Sequence, residues 1–132
     1  MIRQLYAVIF GIGIDLIEIS RVEESFQKFG ERFEKKMFTE TEREYCKSMP
    51  HPPLHFAARF AAKEAFLKAL GTGKSHGISW RDAGVEKLKS GQPLLAITGR
   101  GKEILDEHGI TSCHVSLTHT RTHAAAVVVL EK

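Results

Sequence analysis

Across positions 7–18 the chain reads AVIFGIGIDLIE, and its two parities carry different chemistry. The even positions are Val8, Phe10, Ile12, Ile14, Leu16 and Glu18; the odd ones are Ala7, Ile9, Gly11, Gly13, Asp15 and Ile17. Side chains alternate faces along a strand, so the pattern predicts a β-strand whose even face is continuously apolar and should be core. The odd face is stripped to glycine before it presents an acid. Glycine inside a strand marks a bulge or close approach by a ligand or another backbone. Two readings therefore stand: a bulged strand with an acid at its end, or a face cleared so that Asp15 can meet a ligand. The G-x-G lies within the strand and lacks a third glycine opening a helix, so it is not a dinucleotide fingerprint.

Helical patterns follow. Ser20 with Glu23 three residues on is a capping-box signature, predicting a helix from near Arg21 with Val22, Phe26 and Phe29 as its buried stripe. Thr39 with Glu42 repeats the signature and predicts a short helix over 40–48. MPHPPLH at 49–55 breaks the chain, since proline cannot continue a helix interior. The longest helix is FAARFAAKEAFLKAL at 56–70, stopped by GTG at 71–73. Phe56, Phe60 and Leu67 form one stripe with Phe66 and Leu70 beside it. Six alanines occupy much of the remainder, so other elements can approach closely on several sides and the helix reads as central.

The second half reads as strands around one more helix. GVEKLKSGQPLLAITG at 84–99 is a hairpin about Ser90–Gly91. GKEILDEHG at 101–109 is a short helix, and 113–119 with 124–131 forms an antiparallel pair. No repeat or linker interrupts, so 1–132 reads as one α+β domain: a small antiparallel sheet packed on a long central helix.

Composition narrows the function. At 42% hydrophobic and 27% charged the chain is an ordinary soluble type. A net charge of +3 without a concentrated basic surface argues against nucleic-acid binding. It leaves room for a local basic patch facing an anion or an acidic protein. Cys46 and Cys113 lie far apart without metal-ligand spacing and read as reduced thiols in a cytoplasmic protein. The N-terminal apolar run contains two glycines and Asp15, lacks a cleavage site and is too short for a bilayer, so no export or membrane partner is expected. A domain of this size gains core by oligomerising.

The candidate chemistry is two carboxylates, Asp15 and Glu64, with cations on the long helix. Glu64 and Lys68 share a face at i,i+4, as do Arg59 and Lys63. Hard oxygen ligands without a Cys/His cluster favour Mg²⁺, which takes one or two carboxylates and completes its shell with water and phosphate oxygens. Arg59, Lys63 and Lys68 would meet other phosphate oxygens. The residues thus point to magnesium-assisted phosphoryl transfer or to a nucleotide-binding site. His114, His119 and His123 read as polar strand and turn residues rather than metal ligands, with His119 at a strand end in reach of a ligand.

GIGIDLIEISR, RFAAKEAFLKALGTG and HVSLTHT, in this order and spacing, resemble the bacterial holo-acyl-carrier-protein synthase family of 4′-phosphopantetheinyl transferases. The resemblance covers essentially the whole chain, apart from a few extra N-terminal residues. It implies transfer of 4′-phosphopantetheine from coenzyme A to a serine of apo acyl carrier protein, releasing adenosine 3′,5′-bisphosphate. It implies Mg²⁺ on Asp15 and Glu64, with Glu64 and Lys68 catalytic. Coenzyme contacts fall on Arg59, Lys68, Gly71, Gly73 and His119. Carrier-protein contacts fall on Arg21 and, more weakly, Arg32. The serine proton acceptor stays open between a metal-bound water and a carboxylate near Glu64. The family further implies a homotrimer of α/β subunits with active sites between neighbours. A non-catalytic coenzyme A- or nucleotide-binding module of the same fold is the alternative, although a binder has little use for two separated metal-binding acids.

Overall fold

The computed structural model describes residues 8–132; Ala7 of the predicted first strand and the N-terminal residues before it lie outside the described residues. In chain order the elements are β1 (Ile9–Glu18), α1 (Ile19–Phe29), α2 (Glu31–Met37), α3 (Glu40–Lys47) and α4 (Pro52–Leu70). A single 3-10 turn (Trp80–Asp82) then leads to β2 (Ala83–Lys87), β3 (Pro93–Ile97), α5 (Gly99–Glu107), β4 (Ser112–His119) and β5 (His123–Glu131). The fold is α+β, and the described residues form two antiparallel sheets, β1-β5-β4 and β2-β3.

The alanine-rich helix is central, as its composition implies. Ala57, Ala61, Ala62 and Ala65 are wholly buried, and Phe66 and Leu67 join Val128 and Leu130 of β5 and Ile104 and Leu105 of α5 in one core. A second cluster gathers Ile19, Val22, Phe38, Cys46 and Phe56 around the N-terminal half of α4.

The glycines of β1 explain how helix and strand meet. A Cβ at Gly11 would sit 1.9 Å from the Ala69 carbonyl oxygen, and one at Gly13 would sit 1.8 Å from that of Ala65. The strand lies with its backbone directly against α4, which only a face without side chains permits. The odd face of β1 is therefore the inner one. This reverses the expectation that the even face is core: Ile12, Ile14 and Leu16 are 60%, 66% and 68% exposed. The close approach at Gly11 and Gly13 is by the helix backbone. A register shift between Ile9 and Gly11 puts an irregularity at the strand's start, and Gly11–Glu18 pairs regularly with β5.

Three local expectations are corrected. α1 starts at Ile19 with Glu18 as its N-cap, and no side chain caps it. Its first turn is tied instead by the Ile19 N–H donating to the Thr122 carbonyl at 2.8 Å, so Ser20–Glu23 forms no capping box. Phe29, assigned to the buried stripe, is exposed. Pro52 and Pro53 open α4 rather than break the chain before it, because the first turn leaves N–H groups without helical partners in any case. The Thr39–Glu42 capping box forms as the sequence predicts, and Gly71 closes α4 in the left-handed conformation (φ 85°).

Candidate active site at the seam of β1 and α4

Asp15 emerges from the inner face of β1 two residues beyond Gly13, where the strand clears the helix. Glu64 and Lys68 lie one turn apart on α4. The Lys68 ammonium donates to the Ile14 carbonyl at 2.9 Å and pairs with Asp15 Oδ1 at 3.2 Å. The Asp15 side chain is only 16% exposed. Burial first, and the neighbouring Asp15 second, push the Glu64 carboxyl above its ordinary range, with Lys68 opposing. Two acids from elements 49 residues apart in sequence thus share one electrostatic environment.

Both acids face a cavity of about 500 Å³, lined also by Ile17, Arg21, Lys28 and Phe60, with α1 as the opposite wall. Arg21 therefore stands at the rim of the same cavity as the acids. Arg32, on α2, is exposed and is not among the residues lining it. Gly71 and Gly73 shape the turn after α4 with φ of 85° and 61°, and a Cβ at either would meet open space. Their requirement for glycine comes from the backbone angle.

Arg59 and His119 lie elsewhere. Five residues separate Arg59 from Glu64, about 140° around the helix at 100° per residue. Arg59 is 95% buried, as its relative exposure of 5% shows, with its guanidinium carbon 4.4 Å from the centre of the Tyr45 ring. Its Nη1 donates to the His55 carbonyl at 3.4 Å, while its buried Nε has no hydrogen-bond partner among the described residues. With Tyr45, His55, Lys87 and His119, Arg59 lines a second cavity of about 490 Å³. Burial first, then the charge of Arg59, then His119 hold the His55 imidazole below its ordinary range. The sequence reasoning missed Tyr45, His55 and Lys87. Only His55, one helical turn before Arg59, carried a spacing signal.

The expectation that Lys63 meets phosphate is wrong. Lys63 is wholly buried, its ammonium 2.7 Å from Glu42 Oε1 and 2.7 Å from the Ala83 carbonyl. The face it shares with Arg59 is covered by α3 and β2 at its level. His114 pairs with Glu131, and His123 contacts the Thr122 hydroxyl. Among the described residues no group of three or more His, Cys, Asp or Glu side chains converges. Three carboxylates line the first cavity: Asp15 and Glu64 at the β1–α4 seam and Glu24 on the α1 wall. Oxygen donors of this kind fit Mg²⁺ completed by water and phosphate oxygens and do not fit a zinc site.

Comparison with known proteins decides the family. The family model of the 4′-phosphopantetheinyl transferase superfamily matches residues 11–128. The chain belongs to that superfamily. Within it, the chain is 48% identical over 124 residues to a holo-[acyl-carrier-protein] synthase of Syntrophus aciditrophicus, covering 94% of this chain and 97% of the relative. The fold is similar to that of the Neisseria meningitidis holo-[acyl-carrier-protein] synthase crystal structure, with TM-score 0.88, 34% identity and coverage of 95% and 100%. It is also similar to the Helicobacter pylori enzyme crystallised with coenzyme A, with TM-score 0.80, 33% identity and coverage of 90% and 98%. The superfamily match spans β1 through β5, so it includes both cavities.

Proposed function

We propose that this chain, acting over 1–132 as a single domain, transfers 4′-phosphopantetheine from coenzyme A to a serine of apo acyl carrier protein. The observation that carries the reading is the pairing of Asp15 with Glu64 across the β1–α4 seam, at one cavity with Lys68 beside it. Relatives named holo-[acyl-carrier-protein] synthase at this identity, and a similar structure containing coenzyme A, support the same substrates.

Asp15 and Glu64 would hold Mg²⁺, which supplies charge neutralisation on the pyrophosphate of coenzyme A when bound. Lys68, fixed by the Ile14 carbonyl, adds a positive charge at the cavity edge where the leaving bisphosphate accumulates charge. The serine hydroxyl forms the new bond to the phosphorus nearer the pantetheine, and the pyrophosphate bridge breaks. Adenosine 3′,5′-bisphosphate leaves with the bridging oxygen. The hydroxyl proton needs an acceptor, and a water or a carboxylate near Glu64 would take it. Arg21 at the cavity rim and the exposed Arg32 would meet the acidic carrier protein, so its capture should weaken with salt. Gly71 and Gly73 would let the turn after α4 pass close to the coenzyme.

Coenzyme A carries phosphate at two places, and the two cavities described above lie apart on the chain. The Arg59–His119 cavity suits the adenosine bisphosphate end, with an unpartnered Arg59 Nε, Lys87 and an aromatic ring in its wall. We place the complete site between subunits of a homotrimer, where one subunit's acids would face a neighbour's cationic cavity. The exposed Ile12–Ile14–Leu16 ridge supports such an interface. Free Cys46 and Cys113 suit a cytoplasmic setting. Among the described residues, no helix is long and apolar enough to cross a membrane.

The test incubates the protein with apo carrier protein, coenzyme A and Mg²⁺ and measures the intact mass of the carrier. A gain of one phosphopantetheine is expected, lowered at least about a hundredfold in rate by Asp15→Ala or Glu64→Ala at limiting Mg²⁺. Absence of the gain would leave the binding-module alternative; full transfer by either variant would refute the metal assignment.

A further inference from the structure

Glu42 and Lys63 take no part in either cavity, yet they form the most enclosed polar cluster of the fold. Both are wholly buried. Glu42 Oε1 accepts from Lys63 Nζ at 2.7 Å and from the Thr39 N–H at 2.9 Å, and Oε2 accepts from the Val85 N–H at 2.9 Å. Lys63 donates in addition to the Ala83 carbonyl at 2.7 Å. One carboxylate and one ammonium therefore tie together the first turn of α3, the middle of α4 and strand β2.

Those three elements, with the rest of the β2–β3 hairpin, form one side of the second cavity, and β4 forms the other. α3 supplies Tyr45 three residues after Glu42. α4 supplies Arg59 one turn before Lys63. The β2–β3 hairpin supplies Lys87, two residues after Val85 and on the same face of the strand. The wall groups also contact each other: Lys87 donates to the Tyr45 hydroxyl at 3.0 Å, and Arg59 lies over the Tyr45 ring. With its Nε unpaired, Arg59 takes its direction from that ring and from the His55 carbonyl alone, so its aim depends on the spacing of α3 and α4.

A buried ion pair is a poor device for stability, since apolar side chains of the same volume would serve as well or better. A fully bonded pair fixes angle and distance between elements in a way that apolar packing does not.

We propose that Glu42 and Lys63 are positioning residues that set α3, α4 and the β2–β3 hairpin at the spacing by which Arg59, Tyr45 and Lys87 hold the adenosine bisphosphate end of coenzyme A. The proposal rests on the reading of that cavity given above.

The experiment compares wild type with Lys63→Met and with the charge-neutral double variant Glu42→Gln/Lys63→Met. It measures kcat and KM for coenzyme A at saturating Mg²⁺, and the Kd of adenosine 3′,5′-bisphosphate by calorimetry. KM and Kd should rise on the order of tenfold, as loss of a supporting contact behind a ligand-holding group does, while kcat stays within about threefold. The kcat term is spared because Asp15, Glu64 and Lys68 are held by the β1–α4 seam. An unchanged Kd, or a fall in kcat at constant KM, overturns the proposal. Amide exchange in the wild-type protein gives a second readout that does not depend on the variants folding. By reciprocity, adenosine 3′,5′-bisphosphate should slow exchange at the Thr39 and Val85 amides several-fold, although both lie beneath the pocket wall; unchanged rates there overturn the proposal as well. If wild type neither transfers nor binds the bisphosphate, the reading of the cavity fails instead, and the two failures are told apart by that control.

Discussion

Replacing Gly13 by alanine should destabilise the protein by about 2–3 kcal/mol, although alanine is the better residue in nearly every other respect. The new Cβ would lie 1.8 Å from the Ala65 carbonyl oxygen, 2.7 Å from the Ala69 nitrogen and 2.8 Å from the Ala65 carbonyl carbon. The first of these falls roughly 1.5 Å short of ordinary contact. All three atoms are helix backbone, so no rotamer change relieves the overlap, and β1 must move away from α4. A gap of half that size already forfeits a quarter to a half of each dispersion contact it opens. Overpacking a well-filled interior costs about 1–3 kcal/mol, and a clash with backbone on a helix buried on several sides belongs at the upper end. Alanine recovers about 0.4–1 kcal/mol by restricting the unfolded chain. Guanidinium unfolding at a fixed protein concentration measures the difference, and the melting temperature should fall on the order of 10 °C. The refuting result is specific. If the variant kept stability within about 0.5 kcal/mol of wild type while KM for coenzyme A rose, the glycines would serve ligand access and not strand–helix contact.

Three further outcomes follow from the same geometry. In the metal-free protein Glu64→Gln should melt above wild type at pH 7, because the raised carboxyl makes ionised Glu64 a cost to folding that is relieved as pH falls through its folded value. The gap should close as pH falls toward the ordinary 4.5, and a gap independent of pH would contradict the assignment. Asp82→Ala removes acceptors for the Ser79 N–H at 3.0 Å and the Gly101 N–H at 3.2 Å, so denaturant unfolding should register a loss of about 1–2 kcal/mol. Ile14→Asp places a charge in the middle of the exposed apolar ridge on β1. Light scattering should give wild type the mass of the proposed trimer and the variant that of one subunit, and the same mass for both would remove the ridge from the proposed interface.

How far these properties were legible in the sequence depends on the range of the interaction concerned. The Thr39–Glu42 cap and the Gly71 stop are local: each signal and its partner lie within a few residues, and both form as read. The period-two pattern of β1 correctly announced a strand with two unlike faces. It did not tell which face turns inward, because burial normally follows bulk, and here the glycine face is inner. That inversion needs a second fact, the alanines at 65 and 69, which make the helix surface thin enough for a strand backbone to rest on it. The apolar even face then remains uncovered within one chain, although the pattern recorded it as core because bulk alone does not tell which face a helix backbone will meet.

The site divides along the same line. Asp15, Glu64 and Lys68 were readable because strand alternation and helical spacing fix their directions, and the structure brings them together at one seam. Arg59 and Lys63 were read as sharing a helix face, and they do. What covers that face comes from α3 and β2, and Lys63 finds Glu42 across 21 residues and Ala83 across 20. A cation's position on a helix says where it points, while its task is decided by what stands opposite. Opposite Lys68 is a carboxylate at a cavity, which leaves the lysine available to an anion; opposite Lys63 is a carboxylate already bonded to two backbone amides, which removes it from solvent and makes it part of the frame. Two lysines five residues apart on one helix, indistinguishable by type, are thereby separated by their surroundings: one is locked in the interior and the other stands half-exposed at the seam.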